Sequence, residues 1–192
     1  ARRAALLHGS RYDQLNMIII HLGSGISVSA HRQGKMIDVN NANEEGPFSL
    51  ERCGTMPALG LVRLCYSGGY TMQETIHLLT SRAGIYSYLG TKDFAAVEKQ
   101  IVGGDQEALE VAEAMAYQVA KEIGAMAAVL DGRVDLVVLT GGMAHAQTLT
   151  NMIKKKISFI AEVKILPGEE ELEALAAGAL RVIRGEEPVL QY

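Results

Sequence analysis

The chain has 192 residues and 20.7 kDa, and its 18 Lys and Arg against 22 Asp and Glu give a formal net charge of −4 and a pI near 5.8. That balance excludes a basic nucleic-acid binder as the default reading. With 48% hydrophobic residues, 21% charged residues and a mean hydropathy of +0.12, the composition is that of a packed domain, far from a disordered chain.

The chain begins at Ala1 without Met, in what reads as the second half of a helix ending near Gly9, and this start implies a piece of a longer protein. Met17 to Leu22 is a β-branched, apolar run closed by Gly23, the pattern of a buried strand. It is too short to cross a membrane. After the turn, Ile26, Val28 and Ala30 alternate with Ser27, Ser29 and His31, and Arg32 to Lys35 turn the chain into Met36 to Val39. A three-strand antiparallel meander is predicted. Asn40 to Pro57 shows neither helical nor strand period and contains Gly46, Pro47 and Gly54, so a long, function-bearing loop is expected there.

Beyond Pro57 the pattern is helical. Thr71-Met-Gln-Glu74 has capping-box spacing, and Lys92-Asp93 opens a helix running through Val97 to Ile101 and stopped by Gly103-Gly104. Leu109, Ala112, Met115, Val119, Ile123, Met126 and Leu130 recur at helical spacing, which predicts a long helix whose stripe is either core or a dimer surface. Val134 to Leu139 reads as a strand, followed by Thr140-Gly141-Gly142 and a helix ending in Lys154 to Lys156, a solvated helix end. A strand around Ile160 to Leu166 leads to Pro167-Gly168 and a last helix with Glu169, Glu170 and Glu171 in its first turn. The order predicts an α/β fold: a mixed five-stranded sheet with an antiparallel meander and helices on both faces. Cys53 and Cys65 have no CxxC partner, so free thiols and a soluble, cytoplasmic protein are expected, with neither nucleic acid nor membrane as partner.

Two turns could carry chemistry. His21-Leu-Gly-Ser-Gly25 joins two strands, and its glycines permit close backbone approach to a phosphate; a tight hairpin needing glycine is the structural alternative. Thr140-Gly141-Gly142 stands between strand and helix, where a nucleotide can meet a helix N-terminus, and an ordinary turn is again the alternative. Walker A and GxGxxG motifs are missing. Both turns in one meander-plus-βα order match the actin-like ATPase (ribonuclease H-like) half-domain, in which they clamp one ATP.

His21-Leu-Gly-Ser-Gly-Ile-Ser-Val28, Ile37-Asp-Val-Asn-Asn-Ala42, Glu45-Gly-Pro-Phe-Ser49, Glu51-Arg-Cys-Gly-Thr55, Met115-Ala-Tyr-Gln118, Lys121-Glu-Ile-Gly124, Leu139-Thr-Gly-Gly142 and Gly178-Ala-Leu-Arg181 together resemble the acetate kinase family. Asn40-Asn41 and the Pro47 to Thr55 segment resemble its butyrate kinase branch. The resemblance implies reversible, ATP-dependent phosphorylation of a short-chain carboxylate (butyrate or a branched-chain acid) to an acyl phosphate, with ATP and Mg. It also implies that residues 1–192 are the carboxy-terminal, nucleotide-binding lobe, that an amino-terminal lobe is missing, and that two copies pair as a homodimer.

Carried over residue by residue, the resemblance sets His21, Leu22, Gly23, Ser24 and Gly25 at the ATP phosphates, with His21 stabilising the transferred group; a core histidine is the alternative. Arg52 is the nearest candidate for the family's phosphate-clamping arginine, since Met56 stands where an arginine follows Gly-Thr in the acetate branch; otherwise Arg52 is a surface residue. Asp93 and Phe94 match a nucleotide-contact stretch in which Ala95 replaces a basic residue, and Asp93 reads equally as a helix-start carboxylate. Gly141, Gly142, Met143, Ala144 and His145 would hold the adenosine end. Glu170 matches a magnesium-linked glutamate, or serves the helix dipole. An acetate or other actin-like small-molecule kinase, and a non-catalytic dimerisation module of the same fold, stay open beside the butyrate reading.

Overall fold

All of Met17 to Leu22 except His21 is apolar, and a strand with apolar residues on both sides needs cover on both faces. In the computed structural model, which describes residues 1–168 and 171–189, it is the middle of the sheet. The helix α1 (Arg2–Leu7) and a short 3₁₀ turn lead into β1 (Asn16–Leu22), then β2 (Ile26–Arg32) and β3 (Lys35–Val39). After the loop come α2 (Ala58–Cys65), α3 (Met72–Ser81), α4 (Gly84–Leu89), α5 (Phe94–Val102) and α6 (Gln106–Val129). The chain closes with β4 (Leu136–Gly141), a 3₁₀ turn (Gly142–His145), α7 (Gln147–Ile157), β5 (Glu162–Pro167) and α8 (Glu171–Ile183). The sheet order is β3-β2-β1-β4-β5, with β1 to β3 antiparallel and β1, β4 and β5 parallel, so β1, β4 and β5 end at one edge. In an open α/β sheet ligands bind at that edge.

The two faces have separate cores. Ile18, Ile20 and Leu22 join Val137, Leu139 and the inward stripe of α6 in the large cluster. Ala112, Met115, Val119 and Ile123 of that stripe are fully buried, so it is core and not a dimer surface. On the other face Met17, Leu136 and Val138 pack with Ala4 and Ala5 of α1 and with Leu15. At the far edge β3 is exposed along its whole length, and the register slips by a bulge between Ala30 and His31.

Some boundaries move. β4 runs from Leu136 to Gly141, two residues beyond the predicted end, because Gly141 still pairs with Pro167 of β5. A 3₁₀ turn then separates Gly142 from α7, so the glycines do not open the helix directly. α4 has no counterpart in the sequence reading; Ala83 caps it without a side-chain bond, and no signal precedes it. Glu169 and Glu170, read as the first turn of the last helix, lie outside the described residues. The capping box of Thr71 and Glu74 forms as predicted, and its hydrogen bonds hold the Glu74 carboxyl below the usual range. Among the described residues no helix is long and apolar enough to cross a membrane.

Gly141 sits at φ +93°, and a Cβ there would lie 2.6 Å from the Leu22 carbonyl oxygen and 2.8 Å from its amide nitrogen. Backbone cannot yield as a flexible side chain does. A Gly141→Ala variant is therefore expected to lose about 3 kcal/mol or more in urea unfolding; a loss under 1 kcal/mol would refute the close approach.

His31, 9% exposed, is held in a hydrogen-bond chain. Tyr12 Oη lies 2.7 Å from Nδ1, Ser29 Oγ lies 2.9 Å from Nε2, and the Ser29 hydroxyl donates to the Ile19 carbonyl at 3.2 Å. With that proton spent on Ile19, Ser29 accepts from Nε2–H and Nδ1 accepts from Tyr12, which assigns a neutral imidazole. Burial holds its pKa down at about 4 against an ordinary 6.5. The unfolded chain thus takes up this proton first, and stability present above about pH 6.5 is lost as pH falls toward 4. Between pH 7 and pH 5 the melting temperature of the wild-type chain should fall by several degrees more than that of His31→Gln; parallel slopes would contradict the assignment.

Candidate functional site

The site grows from the turn after β1. Leu22 is the last residue of the strand, fully buried on the α6 face, while His21 points to the opposite face and pairs with Thr140 of β4. The chain then reverses tightly: the Gly23 amide donates to the Gly25 carbonyl at 3.1 Å. The His21 ring lies over this turn, since a Cβ on Gly23 would stand 3.0 Å from Nε2. With Arg3, Thr140, Gly168 and Arg181, His21 lines a cavity of about 620 Å³ on the face carrying α1 and α8.

The long loop is bound back onto that turn. Asn40 is its anchor: Oδ1 accepts from the Val28 amide at 2.6 Å and Nδ2 donates to the Ile26 carbonyl at 3.0 Å, extending the sheet by one side chain. Ser49, fully buried, donates from Oγ to the Ser24 carbonyl in the middle of the turn. Three residues on, the Arg52 guanidinium reaches over Gly25, where a Cβ would lie 2.0 Å from Nη1, and donates to the Ala42 carbonyl at 3.1 Å. Glycine at 25 is thus what admits the arginine to the turn. Burial pushes the neighbouring Cys53 thiol up in pKa, and its Sγ faces the Gly54 carbonyl at 3.2 Å, so it is poorly suited to act as a nucleophile.

On the α6 side of the same edge lies a second cavity, of about 290 Å³. Gly23 and Ser24 form one wall, Asp93 and Phe94 a second, and Gly142, Met143 and His145 a third. Asp93 caps α5 by accepting the Ala95 amide at 2.9 Å, and the Phe94 side chain is buried beneath it. Seven of the residues picked out from the sequence therefore share one cleft. Others do not line it: Leu22 and Ala144 are buried in the core, Gly141 packs on Leu22, Gly25 faces Arg52, and His21 lies across the strand. Glu170 lies outside the described residues, and among those described no group of three or more His, Cys, Asp or Glu forms a metal site.

Three contributors escaped the sequence reading. Ser49 stitches loop to turn. Lys92, at the cleft wall, pairs with Glu51 at 2.6 Å and sits 5.1 Å from the Tyr86 ring centre, tying the loop to α5. Glu98 lines the cleft and binds the first turn of α7. A lone Ser in a loop and charged residues beside a helix carry no signal that separates these roles from ordinary surface chemistry.

Known structures share this fold. The chain is similar to Porphyromonas gingivalis acetate kinase at 24% identity and a TM-score of 0.84, covering 94% of this chain and 52% of that one. It is similar to a propionate kinase from Francisella tularensis subsp. tularensis SCHU S4 at 22% and 0.79, over 88% of this chain and 50% of that one. A ROK family protein from Streptococcus pneumoniae TIGR4 in complex with sucrose matches at 12% and 0.56, over 96% and 63%. The chain thus spans about half the length of the two carboxylate kinases, and its fold is the actin-like ATPase fold that these structures share. The sequence model of the Acetokinase family matches residues 1–176, and by that match the chain belongs to this family.

Proposed function

We propose that this chain is the nucleotide-binding, carboxy-terminal lobe of a two-lobe carboxylate kinase. Completed by its other lobe, the enzyme transfers the terminal phosphoryl group of ATP to a short-chain carboxylate, butyrate or a branched-chain acid, and runs in reverse to make ATP. The observation that carries the reading is the 290 Å³ cleft, where the glycine turn, the α5 N-terminus and the turn before α7 converge at the carboxyl ends of β1 and β4. Family membership supports the carboxylate, and the Asn40-Asn41 and Pro47 to Thr55 segments support the butyrate branch.

In that reaction a carboxylate oxygen forms a bond to the γ-phosphorus as the bond to the bridging oxygen breaks, and ADP leaves. Little covalent work falls to the protein; positioning and charge do the rest. The Gly23–Gly25 turn would carry the phosphates, and Gly142, Met143 and His145 the adenosine end. Arg52 on one side and His21 on the other would stabilise the group in flight. Magnesium, proposed from the family, would neutralise phosphate charge, and Glu170 remains its candidate ligand.

The same reading includes a homodimer and a cytoplasmic setting. Leu59, Tyr66 and Met72 on and around α2 and α3 are 72%, 87% and 69% exposed, a surface that favours association.

Calorimetric titration of the chain with Mg-ATP should give saturable binding that Gly142→Val abolishes; a folded chain that binds nothing would overturn the nucleotide reading. His21→Ala should leave that affinity within about threefold, while cutting phosphoryl transfer in the two-lobe enzyme by about 10²-fold. Gly25→Ala should push the Arg52 guanidinium off the turn while the Ala42 carbonyl gives way slightly, so a comparable loss of turnover is expected with little change in melting temperature. Unchanged turnover in both variants would remove His21 and Arg52 from the mechanism.

A further inference from the structure

One wall of the cleft holds a carboxylate that the phosphate chemistry does not use. Glu98 stands on the second turn of α5, and its Oε1 accepts the Thr148 amide at 2.8 Å. Thr148 is in the first turn of α7, whose N-cap residue, Ala146, has no side chain able to accept. A neighbouring helix thus supplies the missing cap, and the positive end of α7 favours it. One oxygen of Glu98 is thereby fixed in place. The other, Oε2, takes no hydrogen bond among the described residues and is not among their buried, unpartnered oxygens, so it keeps some exposure on a residue that lines the cleft.

The polarity of the cleft then follows. On the α5 wall Lys92 is paired with Glu51, so Asp93 and Glu98 leave that wall acidic and repel phosphate, which leaves the glycine wall to the phosphates and the α5 wall to the uncharged nucleoside end. A carboxylate offers acceptors only. Resting on the nucleotide reading above, we propose that Glu98 reads the nucleoside: with Oε1 anchored on Thr148, Oε2 accepts a hydrogen bond from a neutral donor of the bound nucleotide, a ribose hydroxyl or the exocyclic amino group of adenine.

The test is a titration of the wild-type chain and of Glu98→Gln with the magnesium complexes of ATP, 2′-deoxy-ATP, 3′-deoxy-ATP and ITP. Glutamine keeps an oxygen for the Thr148 amide but turns a donor toward the nucleoside, so ATP should weaken about tenfold. The analogue lacking the donor that Glu98 reads should bind wild type and variant alike, and which analogue does so separates sugar from base. A second variant, Glu98→Asp, keeps the charge and shortens the reach, and should show the same selective loss. Unchanged ATP affinity, or an equal loss for all four nucleotides, would overturn the proposal and leave Glu98 as a helix cap alone. A wild-type chain that binds none of them would overturn the nucleotide reading and this inference with it, whereas ATP binding with no selectivity at Glu98 removes only the inference.

Discussion

The contact of Gly141 with the Leu22 backbone governs the rest of the arrangement. Two parallel strands end side by side, and the absence of a single Cβ lets the chain leaving one lie against the chain leaving the other. The hairpin after β1 and the 3₁₀ turn after β4 therefore share an edge, and the space between them becomes a cleft. The long loop and α5 then close that cleft through Ser49, Lys92 and Glu98, each of which binds an element other than its own.

The hairpin has two unlike sides. Strand alternation sends Leu22 into the core below α6 and His21 to the opposite face, so one dipeptide contributes a packing residue and a polar residue to different compartments. The cleft lies along one side, while the larger cavity with Arg3, Thr140 and Arg181 receives His21 on the other. In a phosphotransferase this division is apt: donor and acceptor approach a transferred group from opposite directions, and the turn between them touches both.

The central strand, the meander and the long helix were legible because their patterns are local: an unbroken apolar run, a period of two, and a stripe at helical spacing over many turns. The glycine turns were legible for a similar reason, since Gly23-Ser-Gly25 and Gly141-Gly142 stand where pattern changes. What stayed hidden depends on contacts between distant residues. Nothing local ties Arg52 to Gly25, or Ser49 to Ser24. Nor does the alternation of Ser27, Ser29 and His31 tell that Ser29 and His31 are buried, or that Tyr12 bonds the His31 ring. α4 is too short to show a period, and β4 extends past its apolar run because pairing with β5, which no sequence window contains, continues through Gly141.

The central pairing joins parts of the chain that are far apart: the Asn16 amide donates to Asp135 across 119 residues, at the point where β1 and β4 begin to run together. The meander needs only short turns to form, but β4 must return across five helices before it can add to the sheet, and such long-range closure is the slow, entropically costly part of folding. One wall of the cleft belongs to the early hairpin and another to the late strand and its following turn. The cleft exists only once the topology is complete, so any ligand seated there binds the finished fold alone and acts as a latch on it, slowing local opening of β4 in proportion to its occupancy.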